Sequence, residues 1–169
     1  MPRPQRHVFV CSQSRPANHP RAGRSVVSDQ VDGGDGVPRL ILFHKQKTSA
    51  RTRFLLFTDT VLAFGPLPVS ASVATGTGAV RPHPAAYLRA AEQRLALPAG
   101  SLEAVGDFSV DVDTATGPVP VLLAGFTSID PPFAAAEAIG ARFAPITEAR
   151  RLPEVELALL RQAYEVLIG

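Results

Sequence analysis

Two carboxylates, Asp130 and Glu148, lie where the chain passes between predicted strands and helices. Connecting segments often carry binding or catalytic groups, because their side chains are free of packing constraints. Asp130 and Glu148 are therefore our candidates for a paired general acid and base, or for the polar groups of a ligand pocket. Asp130 also suits a structural role, because an aspartate before Pro131 is a favourable start for a helix.

A basic segment, residues 44–53, collects cations between two apolar runs. Basic hairpin loops of this kind bind phosphate groups in nucleic-acid-binding proteins. A solvated loop is the simpler interpretation, and we favour it because no aromatic residues alternate with the cations as stacking platforms would. The candidate anion or phosphate contacts are His44, Lys45, Lys47, Arg51 and Arg53.

The single cysteine, Cys11, has two interpretations. Arg15 and His7 lie nearby in sequence, and cations close in space would favour the reactive thiolate. A free cysteine at the end of a strand is more often an inert apolar residue, which is the interpretation that we favour. One cysteine excludes an intramolecular disulfide and a multi-thiolate metal site within one chain. We predict no cofactor and no metal site.

The residues around Cys11 form the most specific motif in the sequence. His-Val-Phe-Val-Cys at 7–11 is followed by Arg15-Pro16 and then by His-Pro-Arg at 19–21. This order resembles the start of the thioredoxin-like 2Fe–2S ferredoxins, whose first strand ends in a cluster cysteine. The resemblance covers about fifteen residues and implies that Cys11 matches the first cluster ligand.

The resemblance ends after Arg21. The family places its second cysteine near the position of Arg24, which cannot bind iron, and the later pair of cysteines is missing. Four thiolates hold such a cluster, so the motif implies at most a relative that has lost it. Of the 17 basic residues only Lys45 and Lys47 are lysines, and both follow the break. Ancestry, gene fusion, a shifted reading frame and chance are all consistent with this change.

Hydrophobic periodicity predicts strands in the rest of the chain. Apolar runs at 39–43 and 54–64 flank the basic segment and are typical of buried strands. Alternating residues at 108–113 predict a half-buried strand, and a turn leads from it into a further strand at 119–129. A third strand of this carboxyl-terminal region is predicted at 142–146.

Prolines and caps predict three helices: one after Pro84, a short one after Asp130 and a final one from Pro153. The final helix has Glu154 and Glu156 in its first turn, where acidic residues suit the helix dipole. Together the elements predict an α+β fold. We expect a small, mostly antiparallel sheet with helices packed on one face, preceded by an irregular N-terminal segment.

Composition changes divide the chain into four predicted units. Residues 1–37 are irregular or partly disordered, and residues 38–68 form a strand pair with the basic segment. Residues 69–82, which are small and weakly patterned, form a linker. Residues 83–169 form the α+β domain, which we expect to fold without the rest because its local signals agree.

The sequence contains no complete catalytic triad, zinc motif or nucleotide fingerprint, and whether the protein is an enzyme stays open. We favour a non-enzymatic accessory or protein-interaction domain, with another protein as partner and nucleic acid disfavoured. The alternatives are a small enzyme or ligand-binding protein with a pocket near Asp130 and Glu148, and a cluster-less ferredoxin relative. A cytoplasmic location is predicted, since no signal peptide or run of about 20 apolar residues for a membrane is present.

Overall fold

The structure, a computed structural model, describes residues 37–75 and 83–169 of the chain. Its strands are β1 (Arg39–Lys45), β2 (Thr52–Leu56), β3 (Leu62–Ala63), β4 (Ser72–Val73), β5 (Leu102–Thr114), β6 (Gly117–Phe126) and β7 (Arg142–Ala144). Its helices are α1 (Ala85–Arg94), α2 (Phe133–Ala138) and α3 (Glu154–Ile168), with a 3-10 turn at Ile146–Glu148. This mixture of helices with a mostly antiparallel sheet confirms the predicted α+β class.

The strands form one sheet in the order β4-β5-β6-β1-β2-β7, and β3 pairs with β1 beside β2. β1 runs parallel to β6, with Ile41 opposite Leu123, and the other pairs among the described strands are antiparallel. The parallel pairing brings the carboxyl ends of β1 and β6 to the same edge of the sheet. The segment after β6 therefore lies beside the loop that joins β1 to β2.

Residues 38–68 and 83–169, which we predicted as separate units, contribute neighbouring strands to this sheet. β1 and β2 come from the first stretch and lie between β6 and β7, which come from the second. Within the predicted linker, Val73 pairs with Val112 of β5. The predicted boundaries relied on prolines and turns, whereas the pairing of β1 with β6 joins segments distant in sequence that local signals do not encode.

Both faces of the sheet carry a buried apolar cluster. Alternate residues of β1 point in opposite directions, so Ile41 belongs to the cluster that contains Leu159 and Leu160 of α3. Leu42 belongs to the other cluster, which contains Ala91 of α1 and Ala136 of α2. The expected packing of all helices on one face is therefore not confirmed. The reason is that β1 is buried on both sides, and each side needs its own cover.

Prolines mark the helix starts, but not always at the predicted residue. Helices begin next to Pro84 and Pro153 as the sequence predicts, but each proline stands at the N-cap position and not inside the first turn. α2 begins at Phe133 with Pro132 at its N-cap, and its N-cap makes no side-chain hydrogen bond. The predicted capping role of Asp130 is therefore wrong, because Pro131 and Pro132 place it too far before the first helical residue.

A buried carboxylate joins α3 to the segment between β2 and β3. Glu156 is 0% exposed and accepts hydrogen bonds from Thr60 Oγ1 and from the backbone N–H of Val61, each at 2.9 Å. Burial raises the pKa of Glu156 above its ordinary value, and these two hydrogen bonds oppose that rise. This side chain fixes the position of residues 57–61, which turn the chain from β2 into β3.

Candidate functional site

The structure divides the predicted basic segment between the two faces of the sheet. His44 and Lys45 end β1, and the register places His44 opposite Arg53 and Lys45 opposite Thr52. Side chains directly opposite one another lie on the same face, so His44 and Arg53 share one face while Lys45 points to the other. The five candidate cations therefore do not form one phosphate-binding cluster.

His44 is a structural residue in this arrangement. It is 1% exposed, and its Nε2 lies 3.0 Å from the backbone carbonyl oxygen of Ser128. A carbonyl oxygen only accepts, so Nε2 donates this hydrogen bond. Nδ1 has no hydrogen-bond partner among the described residues. His44 thus joins β1 to the segment after β6 and is not accessible to a phosphate at the surface.

The remaining candidate cations have different surroundings. Lys45 Nζ donates a 2.7 Å hydrogen bond to the carbonyl oxygen of Leu167, in the last turn of α3, where a cation is favourable. The side chains of Lys47 and Arg51 are exposed and make no hydrogen bond or ion pair within residues 37–75 and 83–169. Arg53 lies over the ring of Phe133, with its guanidinium carbon 5.8 Å from the ring centroid.

Two apolar side chains are exposed in the stretch that follows β6. Ile129 is 83% exposed and Phe133 is 46% exposed. Phe133 packs edge-on against Phe143 of β7, with ring centroids 5.7 Å apart. The guanidinium of Arg53 lies over the ring of Phe133. We give the name hairpin surface to Arg53 and Phe133, which are in contact, together with the exposed cations Lys47 and Arg51 of the β1–β2 loop and Ile129 of the connection after β6.

The prediction from sequence missed the apolar part of the hairpin surface. Ile129 stands among polar residues in the connection after β6, and Phe133 follows two prolines. A large apolar residue in an exposed connecting segment is the signal that could have identified both residues.

A cavity of about 370 Å³ lies at the opposite end of β2. Its lining comes from three segments: residues 56–58 after β2, residues 140–142 at the start of β7, and residues 148–149 with 151–152 before α3. The register places Arg142 opposite Leu56, which brings the first two segments together. The third is joined to them by an ion pair between Arg142 Nη1 and Glu148 Oε2, at 2.7 Å, with both side chains more than half exposed.

Of the two predicted carboxylates, only Glu148 contributes to this cavity. Asp130 is exposed in the connection after β6, and its backbone carbonyl accepts a 2.7 Å hydrogen bond from Ser128 Oγ. This connection lies near the end of β2 that carries Arg53, the residue opposite His44. The two ends of β2, marked by Arg53 and Leu56, are three residues apart, which corresponds to about 10 Å. The structure therefore does not bring Asp130 and Glu148 together as an acid–base pair, and the cationic lining residues Arg142 and Arg151 were not predicted.

Cys11 and residues 7–21, which carry the resemblance to the ferredoxins, lie outside the described residues. Across residues 37–75 and 83–169, the structure has no group of three or more His, Cys, Asp or Glu side chains placed to hold a metal ion. Within the same ranges no helix has the length and apolar character needed to cross a membrane. The chain matches no known protein-family model and no curated protein.

Proposed function

We propose that the protein is a non-enzymatic interaction domain that binds an acidic segment of another protein at the hairpin surface. The observation that carries this proposal is the position of Phe133. Its ring is nearly half exposed, and Phe143 and Arg53 both contact it. An aromatic side chain that is already immobilised loses little entropy when it is covered by a partner.

The composition of the hairpin surface supports a protein partner. Aromatic residues and arginine are enriched at the energetic centres of protein–protein interfaces. Ile129 adds exposed apolar area four residues before Phe133, and an apolar side chain that is 83% exposed gains free energy when a partner covers it. An apolar residue of the partner would therefore pack against Ile129 and Phe133.

The charges of the hairpin surface define the chemistry of the rest of that partner. Lys47 and Arg51 have no partners in the part of the chain that the structure describes, and Arg53 follows them along the chain on β2. Acidic residues that flank the apolar anchor would be complementary to these cations and would accelerate association. Such a partner would be cytoplasmic, where a protein with a single cysteine needs no oxidising compartment.

Selection of peptides from a random display library on the immobilised full chain tests this proposal. We expect selected peptides to combine a large apolar residue with flanking Asp or Glu. Their affinity should fall as ionic strength rises from about 0.1 M to about 1 M, because the Debye length shortens from about 10 Å to about 3 Å. Phe133→Ser should weaken binding about tenfold or more, as expected for the centre of an interface.

The matched control is Val69→Ser, which removes an exposed apolar side chain from the connection between β3 and β4. It should leave peptide binding unchanged. Peptides that lack acidic residues, or that bind the Phe133→Ser protein equally well, would contradict the proposal. Nucleic acid is the competing partner. Micromolar binding of single-stranded DNA that is lost in the Lys47→Ala, Arg51→Ala protein would show that the partner is a nucleic acid and not an acidic peptide.

A further inference from the structure

We infer that the cavity beside Glu148 is a binding site for a small organic anion with an apolar body and a carboxylate or phosphate head group. This site lies at the other end of β2 from the hairpin surface and is independent of it. Its volume of about 370 Å³ is at the small end of the range for ligand sites in proteins.

The positive charge of the lining favours an anion. The lining contains two arginines, Arg142 and Arg151, and one carboxylate, Glu148. Arg151 makes no hydrogen bond or ion pair to the part of the chain that the structure describes. Arg142 uses Nη1 for Glu148, and a guanidinium carries five N–H donors, so most of its donors stay available. Guanidinium groups bind carboxylates and phosphates through paired hydrogen bonds.

A hydroxyl adds a neutral donor to the lining. Thr58 lines the cavity from the segment after β2, and its hydroxyl makes no hydrogen bond within residues 37–75 and 83–169. Because Arg151 comes from the segment before α3, donors approach the cavity from different segments. Convergent polar groups from separate elements are typical of sites that orient a ligand.

The remainder of the lining is apolar. Leu56, Phe57, Ala141 and Leu152 face the cavity, and Leu56 and Ala141 are buried residues of the core. An inorganic ion would leave this apolar area in contact with water, whereas an organic anion would cover it. The lining therefore favours an anion that carries a hydrocarbon or aromatic group.

The backbone around the cavity is held before any ligand binds. The N–H of Phe57 donates to the carbonyl of Thr60 at 2.8 Å, and Glu156 holds Thr60 and Val61 from α3. On the facing side, Gly140 ends α2 with a φ of +70°, and the N–H of Ala141 donates to Ala136 at 2.9 Å. A site that is formed in advance binds without the cost of ordering loops.

Glu148 has a specific role in this arrangement. Its carboxylate orients Arg142 but also repels an incoming anion. Glu148→Gln keeps an oxygen that accepts from Arg142 and removes the negative charge. This substitution should therefore tighten the binding of anions, whereas the loss of a merely structural residue would weaken it.

Calorimetric titration of the full chain with four probes tests the inference. The probes are 3-phenylpropionate, phenyl phosphate, the neutral 3-phenylpropionamide and inorganic phosphate. We expect at least one of the two organic anions to bind with a Kd below ~10 mM. The Kd values of the amide and of inorganic phosphate should be at least about tenfold higher than that of this anion. The organic anion that binds more tightly identifies the head group.

Arg151→Gln should weaken binding of that anion about tenfold, since a hydrogen bond to a charged group is lost. Arg150→Gln is the matched control, because Arg150 is the neighbouring exposed arginine and does not line the cavity. Glu148→Gln should strengthen the same binding. No binding of either organic anion, equal binding of the amide, or equal effects of the two arginine substitutions would overturn the inference.

Discussion

One buried polar side chain lies next to each end of β2, but the hydrogen-bonding groups of the two side chains are satisfied to different degrees. At the cavity end, both carboxylate oxygens of Glu156 accept a hydrogen bond at 2.9 Å. At the hairpin end, His44 makes one hydrogen bond to Ser128, and its Nδ1 has no partner among the described residues. Removing Glu156 leaves more buried groups without a partner than removing His44 does. The loss in the free energy of unfolding should therefore be larger for Glu156.

The two ends also differ in what they offer to a partner. The cavity end is concave and combines Arg142 and Arg151 with apolar side chains, which suits a small anion. The hairpin end presents Ile129 and Phe133 outward beside cations, which suits a larger partner. In both cases a hydrogen bond from a neighbouring element holds a backbone segment of the proposed site: His44 of β1 binds the segment after β6, and Glu156 of α3 binds the segment after β2. Such support keeps a binding surface ordered.

The largest effect is expected from Glu156→Ala. This change leaves the hydroxyl of Thr60 and the N–H of Val61 buried without an acceptor, and it opens a cavity under α3. We expect a loss of about 2–4 kcal/mol in the free energy of unfolding, measured by urea denaturation. The matched control is Glu154→Ala in the same helical turn, where the carboxylate is exposed.

Glu154→Ala should cost no more than about 1 kcal/mol, since it loses only an interaction with the helix dipole. Equal losses for the two alanine substitutions would mean that Glu156 acts through its helical position and not through its hydrogen bonds. The comparison between the two ends of β2 would then fail at the cavity end.

The pH dependence of the free energy of unfolding should also reveal the burial of Glu156. Burial raises the pKa of Glu156 above its ordinary value of 4.5, so the folded protein holds this proton more tightly than the unfolded chain does. The associated stability is fully present below pH 4.5 and is lost as the pH rises through the raised pKa of the folded state. Glu156→Gln cannot titrate and should lack this component of the pH profile.

Urea denaturation of the native protein and of Glu156→Gln at a series of pH values from 4.5 upward measures the difference. The free energy of unfolding of the native protein should decline relative to the variant as the pH rises. A parallel profile for the two proteins would contradict the assignment, and a relative gain with rising pH would reverse its sign.

The sequence predicted well those elements whose signals are local. The alternation of Phe108, Val110 and Val112 lies within β5, and Pro84 and Pro153 stand at the N-caps of α1 and α3. These features depend on periodicity and on the geometry of proline, which act within a few residues. The predicted strand at 108–113 was too short, because β5 continues through an irregularity between Ala104 and Ser109.

The features that depend on distant contacts were not predictable in the same way. Nothing near Ile41 indicates that it lies opposite Leu123, and nothing near Glu156 indicates that its carboxylate meets Thr60. An acidic residue in a first helical turn is normally explained by the helix dipole, and this local explanation concealed its burial. The candidate site was predicted least well. The sequence shows the basic segment as one run of cations, whereas the pairing of His44 with Arg53 places Lys45 on the other face of the sheet.

The smallest effect is expected from His44→Phe, which tests the hairpin end. Phenylalanine has a similar size and shape, so the core should stay filled while the hydrogen bond to Ser128 is lost. Ser128 is itself an exposed residue, and water can replace the lost donor; the unpartnered Nδ1 is removed at the same time. We therefore expect a loss of only about 1 kcal/mol in the free energy of unfolding.

The local consequence of His44→Phe should exceed the global one. The backbone amides of residues 127–130 should exchange with deuterium faster, because the hydrogen bond that joins their segment to β1 is missing. His83→Phe, at an exposed histidine before α1, should leave that exchange unchanged. A loss of stability as large as that of Glu156→Ala, or unchanged exchange at 127–130, would show that His44 and Glu156 do not differ in the way that their hydrogen bonds indicate.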